Sequence, residues 1–147
     1  MESIDSRKIE LLDWLLSACG LHSVSILPML GDASLRRYFR VITPDASYVA
    51  MDAPPPQENV APFVAIAKAF CSKGLSAPEI FSADLPRGYL LISDFGDLTY
   101  LNSLNPENAD LLYGRALEAL AVMQEIKNVS GRPLPPFTRE FMRTEWA

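Results

Sequence analysis

Cysteine and histidine are scarce in this chain of 147 residues: two thiols, Cys19 and Cys71, and one imidazole, His22. Two cysteines do not build a disulfide scaffold or a thiolate metal site. Each lies inside a helix-like apolar pattern, so both read as core thiols of a reducing compartment. No His-Glu-x-x-His, Cys-x-x-Cys or P-loop pattern is present, which removes the chemistry those motifs carry. Positive charge is short as well. The formal charge is −5, whereas a nucleic-acid coat or a membrane-surface protein needs a net basic face. No apolar run approaches the roughly 20 residues that span a bilayer, and the first eight residues lack the basic-then-apolar order of a signal peptide. The expectation is a cytoplasmic protein with no membrane and no nucleic-acid partner. Without a secretory signal the sequon Asn128-Val129-Ser130 carries no weight. What the chain has in quantity is apolar side chains, 49% of the total, enough for one compact domain with its own core.

Periodicity then divides the chain. Asp5 or Ser6 caps a first helix whose Ile9, Leu12 and Leu16 fall at helical spacing, with Gly20 at its exit. Two strands follow, Val24 to Leu30 and Arg36 to Thr43, joined by the polar turn Gly31-Asp32-Ala33-Ser34. A third strand, Tyr48 to Asp52, stops at Pro54-Pro55-Pro56, which cannot donate ladder hydrogen bonds. Val60, Phe63, Val64, Ala67, Phe70 and Cys71 mark a helix capped by Asn59 and ended by Gly74, which must pack on the sheet. Ile80 to Ala83 and Tyr89 to Asp94 are two further strands about the turn Leu85-Pro86-Arg87-Gly88. Asn105-Pro106-Glu107 starts a helix with the stripe Leu112, Ala116, Ala119, Met123 and Ile126. Residues 128–136, with Gly131 and three prolines, read as a loop, and a last helix opens at Thr138. That short helix needs a partner for Phe137, Phe141 and Trp146, which suggests a chain cut short.

Within this pattern lies Asp94-Phe95-Gly96. In a protein kinase the Asp of such a tripeptide holds Mg²⁺ and lies downstream of a His-Arg-Asp loop carrying an Asn a few positions on. His22 has no Asp-x-x-x-x-Asn after it, so that context is missing. The order strand, polar loop, two strands, helix, two strands is nevertheless that of a kinase-like amino-terminal lobe. The segments Gly31 to Arg40, Tyr48 to Glu58 and Pro62-Phe63 resemble the aminoglycoside phosphotransferase family. Gly88-Tyr89-Leu90-Leu91-Ile92-Ser93-Asp94-Phe95-Gly96-Asp97 is similar to that family's Gly-x-Leu-Leu-Leu-Glu-Asp-Leu-Gly-Asp stretch. Within the family the chain looks most like the branch that phosphorylates the anomeric hydroxyl of N-acetylated amino sugars.

The resemblance implies an α+β kinase-like lobe over residues 1–96, with an about five-stranded antiparallel sheet and a packed helix. Residues 97–147 would hold the hinge exit and the first helices of an incomplete carboxy-terminal lobe. The cofactors it implies are ATP and Mg²⁺, with nucleotide and an amino sugar as partners. Gly31, Asp32, Ala33 and Ser34 would lie over the phosphates, and Ser93, Asp94 and Phe95 would offer main-chain groups to the adenine edge. Read locally, the loop is an ordinary hairpin, and Arg36, Arg37 and Arg40 are either phosphate contacts or a solvated face stacking on Tyr38. Alternation separates Arg36 and Arg40 from Arg37, so the three do not form one cluster. Laying Val49-Ala50-Met51-Asp52 on the kinase pattern Val-Ala-Ile-Lys puts Asp52 in place of the phosphate-gripping Lys, and no Lys lies between Lys8 and Lys68. An Arg from the second strand is the expected substitute, with Glu58 the acid nearest the following helix. With no catalytic base or metal ligand in these residues, the chain alone is expected to be inactive. The other reading is a non-catalytic nucleotide-binding or protein-interaction module, prone to self-association.

Overall fold

The computed structural model describes residues 5–30, 34–136 and 138–145. The elements run α1 (Ser6–Ser17), β1 (Ser25–Pro28), β2 (Arg37–Ile42), β3 (Ser47–Asp52), α2 (Ala61–Ser72), β4 (Ile80–Asp84) and β5 (Tyr89–Ser93). They continue with α3 (Tyr100–Ser103), α4 (Ala109–Glu125), the short pair β6 (Asn128–Val129) and β7 (Arg132–Pro133), and α5 (Arg139–Glu145). β1 to β5 form one antiparallel sheet in the order β1-β2-β3-β5-β4, the α+β arrangement that the apolar alternation indicates.

The pleat sends successive side chains to opposite faces, and each face takes one helix. Phe39, Val41, Ala50, Tyr89 and Leu91 pack under Leu11, Trp14 and Leu15 of α1. Val49, Met51, Leu90 and Ile92 pack on the other face with Val60, Phe63 and Val64 at the start of α2. Because both faces of β3 and β5 are covered, their side chains are buried almost without interruption. The turn between β4 and β5 is held against the exit of β3: Ala53 N–H donates to Gly88 O at 2.9 Å. A Cβ on Gly88 would stand 1.9 Å from Ala53 O, and its φ is +76°, so only glycine fits this contact.

Several expectations change. In α1, Asp5 caps the helix by accepting from Lys8 N–H, but the buried stripe is Leu11, Trp14 and Leu15, while Ile9 and Leu16 face solvent. Both stripes have helical spacing, and ion pairing decides between them. Arg7 lies one turn before Leu11 on the same face, and its Nε donates to Asp52 at 3.0 Å, which sets the rotation of the helix. Trp14 then meets the ring of Tyr89 with centroids 5.8 Å apart.

Cys71 is not a core thiol. It is exposed at the end of α2, with Sγ directed to Ala77 O at 3.5 Å, while Cys19 is half-buried and burial raises its pKa. The loop 128–136 contains the hairpin β6–β7, turned by Ser130 and Gly131 at φ 51° and 74°, the left-handed pair that a two-residue turn requires. α4 begins at Ala109 rather than beside Pro106, because Asn105 Oδ1 draws the N–H groups of Glu107 and Asn108 into a turn first. Along its stripe only Ile126 at the exit is buried, while Leu112 and Ala119 are half-covered and Ala116 and Met123 exposed. The final helix opens as expected, with Thr138 Oγ1 accepting from Phe141 N–H, while Phe137 and Trp146 lie outside the described residues.

The rotation of α1 is testable. Leu15→Ala should cost about 2–4 kcal/mol by loss of buried area and cavity formation, and Leu16→Ala less than about 1 kcal/mol, read from urea unfolding midpoints. Equal costs would mean that the buried face is misassigned.

Candidate functional site

Three arginines on or beside β2 go to three different sets of acids. Arg36, immediately before the strand, donates from Nε to Glu58 Oε2 at 2.8 Å, and this hydrogen bond raises its pKa. It shares the face of Tyr38, whose ring packs with the α2 cluster. Arg37 points the other way, into the α1 side. There its Nη1 pairs with Asp5 and its Nε donates to Asp52 Oδ2 at 3.0 Å. Its guanidinium stands 5.6 Å from the ring of Phe39; stacking on Tyr38 is not what the strand allows, since Phe39 is the neighbour on Arg37's own face. Arg40 returns to the α2 side and binds Asp94 and Asp97 at the far end of the sheet.

Asp52 has no exposed surface, and its two oxygens are shared between Arg7 and Arg37. In the kinase pattern the third-strand Lys must face the following helix to meet its Glu. Here the residue facing α2 is Met51, and Asp52 faces α1. The cation that meets Glu58 comes from the start of β2 instead.

The chain leaves the sheet at the end of β5. Ser93 is engaged on both sides of its backbone neighbourhood: its N–H donates to Glu79 O and its Oγ accepts from Glu79 N–H, both at 3.0 Å. Asp94 accepts from Arg40 Nε at 2.8 Å and Nη2 at 3.2 Å, from Gly96 N–H at 2.9 Å, and from the hydroxyl of Ser47. Burial acts to raise its pKa, but the bonds from Ser47, Gly96 and Arg40 outweigh this and hold the carboxyl below its usual range. With both oxygens so occupied, Asp94 is a structural acceptor, not an open metal ligand. Asp97 is lowered by Arg40 alone. Among the described residues no three His, Cys, Asp or Glu side chains come together as a metal site. Beyond Asp94 the side chain of Phe95 is exposed, and no backbone hydrogen bond among the described residues takes up the main-chain groups of Asp94 and Phe95.

Of the residues expected over the phosphates, Gly31, Asp32 and Ala33 lie outside the described residues, and Ser34 is exposed with its Oγ accepting from Arg36 N–H at 3.2 Å. Ser34 is thereby next to Arg36. Arg36 and Arg40 lie four residues apart on one face, roughly 13 Å at the rise of a strand. The partners that periodicity does not reveal are Ser47 and Asp97, which become neighbours of Arg40 only through the register Arg40↔Val49 and Tyr48↔Ser93.

A five-stranded antiparallel sheet, a helix following its third strand and an exit from its fifth define the amino-terminal lobe of a kinase-like fold. The chain belongs to the phosphotransferase enzyme family, whose model matches residues 25–147, so that α1 precedes the matched segment. It is 46% identical over 120 residues to an N-acetylmuramate/N-acetylglucosamine kinase of Pseudomonas aeruginosa, covering 82% of this chain and 35% of that protein. A Pseudomonas putida kinase of the same name is 44% identical over 121 residues, with the same coverage. One from Neisseria meningitidis serogroup B is 32% identical over 142 residues, covering 95% of this chain and 42% of the relative. The chain thus spans well under half the length of these curated relatives. Among the described residues no helix is long and apolar enough to cross a membrane.

The lowered carboxyls of Asp94 and Asp97 give a pH signature. A carboxylate whose folded pKa lies below its unfolded value of about 3.9 adds stability above that value and loses it as pH falls through the folded pKa. Arg40→Met should therefore lower stability at pH 7, and the gap to the parent chain should narrow below about pH 4 as both acids protonate. Paired unfolding curves at pH 7 and pH 3 measure it; a gap as large at pH 3 would refute the carboxylate partnership.

Proposed function

We propose that residues 1–96 are the nucleotide-binding lobe of an ATP-dependent kinase that phosphorylates an amino-sugar hydroxyl in the cytoplasm, and that residues 97–147 lead into its carboxy-terminal lobe. The observation that carries this reading is the placement of the Arg36–Glu58 pair and the main chain of Asp94 and Phe95 at opposite ends of one sheet face. Arg36 and Arg40, which mark these two ends, are roughly 13 Å apart at the rise of a strand. The names of the similar kinases supply the substrate class, N-acetylmuramate or N-acetylglucosamine.

ATP with Mg²⁺ is the cofactor of this reading, and the part played by the chain is to bind and orient the nucleotide. Arg36 takes the role of the missing third-strand Lys, held towards the phosphates by Glu58, with Gly31, Asp32, Ala33 and Ser34 contributing N–H and hydroxyl groups. Arg37 secures α1, its charge being met by Asp5 and Asp52. Phosphoryl transfer depends on positioning and charge neutralisation, and with no metal-ligand cluster among its described residues this lobe is expected to orient ATP without transferring its γ-phosphoryl group. Leu98, Leu101, Leu111 and Leu117, all more than half exposed, form the apolar ground on which the rest of such a kinase would rest.

Millimolar Mg·ATP should raise the melting temperature of the 147-residue chain without phosphorylating amino sugars. Arg36→Ala should weaken ATP binding by roughly tenfold or more, the loss of one charge-assisted contact, whereas Arg37→Ala should lower stability and leave the affinity of the folded chain unchanged. No shift at millimolar nucleotide, or unchanged affinity in Arg36→Ala, would overturn the assignment.

A further inference from the structure

We infer that Arg40 is a positioning residue for the base end of the nucleotide site, holding residues 94–97 as one rigid turn; this rests on the nucleotide reading above. One planar guanidinium makes two forked contacts. Nε and Nη2 reach Asp94 at 2.8 and 3.2 Å, and Nη1 and Nη2 reach Asp97, both at 2.8 Å. The two carboxylates straddle Gly96, which turns the chain at φ 73°.

The two arms are not equivalent. Asp94, with a side chain only 7% exposed, is also held by Ser47 and by Gly96 N–H, so the end of β5 is anchored even without Arg40. Asp97 is 81% exposed, and Arg40 is its only side-chain partner among the described residues. A contact that merely closed the sheet would stop at Asp94. The second fork reaches past the glycine and fixes the segment that follows, so the main chain between the two acids is clamped at both ends. That main chain carries the Asp94 and Phe95 groups that no other backbone among the described residues takes up. A donor–acceptor edge recognises a planar base only when its two groups keep a fixed spacing and direction, and lost ordering on binding costs affinity. Lys at position 40 would supply charge to one acid but not the fork to both.

The test uses the 147-residue chain with three probes: adenosine for the base end, inorganic tripolyphosphate for the phosphate end, and ATP for both. Arg40→Lys and Asp97→Ala are the variants, the second removing an exposed side chain so that folding is spared. Both should weaken adenosine and ATP by a similar factor, about tenfold, leave tripolyphosphate binding unchanged, and speed amide hydrogen exchange at Phe95 and Gly96. Arg36→Ala should do the reverse, weakening tripolyphosphate and ATP but not adenosine. Parent-like adenosine affinity in both variants would overturn the role of Arg40 while leaving the nucleotide reading intact. If the parent chain bound neither adenosine nor ATP, the nucleotide reading would fall and this inference with it.

Discussion

A carboxylate with no exposed surface must be met by charge or hydrogen bonds, and Asp52 is met by two guanidiniums from two different elements. Much of the architecture follows from that demand. Arg7 has to come from the first turn of α1 and Arg37 from the first residue of β2, so the helix is drawn across the end of the sheet with one rotation only. That rotation puts Leu11, Trp14 and Leu15 inward and closes the face carrying Tyr89 and Leu91. The opposite face is left to α2 and to whatever lies against Arg36 and the exit of β5. Asp5 completes the arrangement by serving twice, as the cap of α1 and as the second acid on Arg37.

The same demand sorts the basic residues. Three arginines within five positions would be a strong positive patch if they pointed together, but strand alternation divides them and each is neutralised locally. Arg37 is spent on joining α1 to the sheet. Arg36 and Arg40 remain on the α2 face, one just ahead of β2 and one at the exit of β5, so one short stretch of chain carries the cations at both ends of the proposed site. This explains how a lobe without a third-strand Lys retains a cation opposite Glu58: the charge has moved to the neighbouring strand, while β3 contributes buried apolar surface through Val49 and Met51.

Five strands, the helix after the third and the break at Gly96 were legible because alternation, the proline run after Asp52 and the glycine-bearing turn at 85–88 are local signals. The separation of Arg37 from Arg36 and Arg40 was legible for the same reason. The buried face of α1 was not: two apolar stripes compete in its sequence, and a partner 45 positions away chooses between them. Glu58 could be named as the acid nearest α2, but its pairing with Arg36 depends on tertiary approach. Ser47 and Asp97 were invisible as partners of Arg40, since only the pairing of β2 with β3 and of β3 with β5 brings positions 40, 47, 94 and 97 together. Cys71 shows the opposite error, an apolar spacing continued one residue past the point where the helix leaves the sheet. The hairpin 128–133 was masked by its prolines, although Ser130-Gly131 is a turn signal in itself.

The backbone contact at Gly88 has a consequence for how this sequence can diverge. Ala53 is the last residue before the proline run that carries the chain to Glu58, and its carbonyl occupies the space where any side chain at position 88 would begin. A substitution at 88 would thus be felt first not in its own turn but as a displacement of the path to Glu58, and so of the acid that steadies Arg36. Leu85 in the same turn is exposed and free to drift, whereas Arg87 is exposed but donates to Asp84. Variation in relatives should therefore be tolerated in the turn at Leu85 and absent at residue 88, a gap in the substitution record whose cause lies some thirty-five residues earlier in the chain.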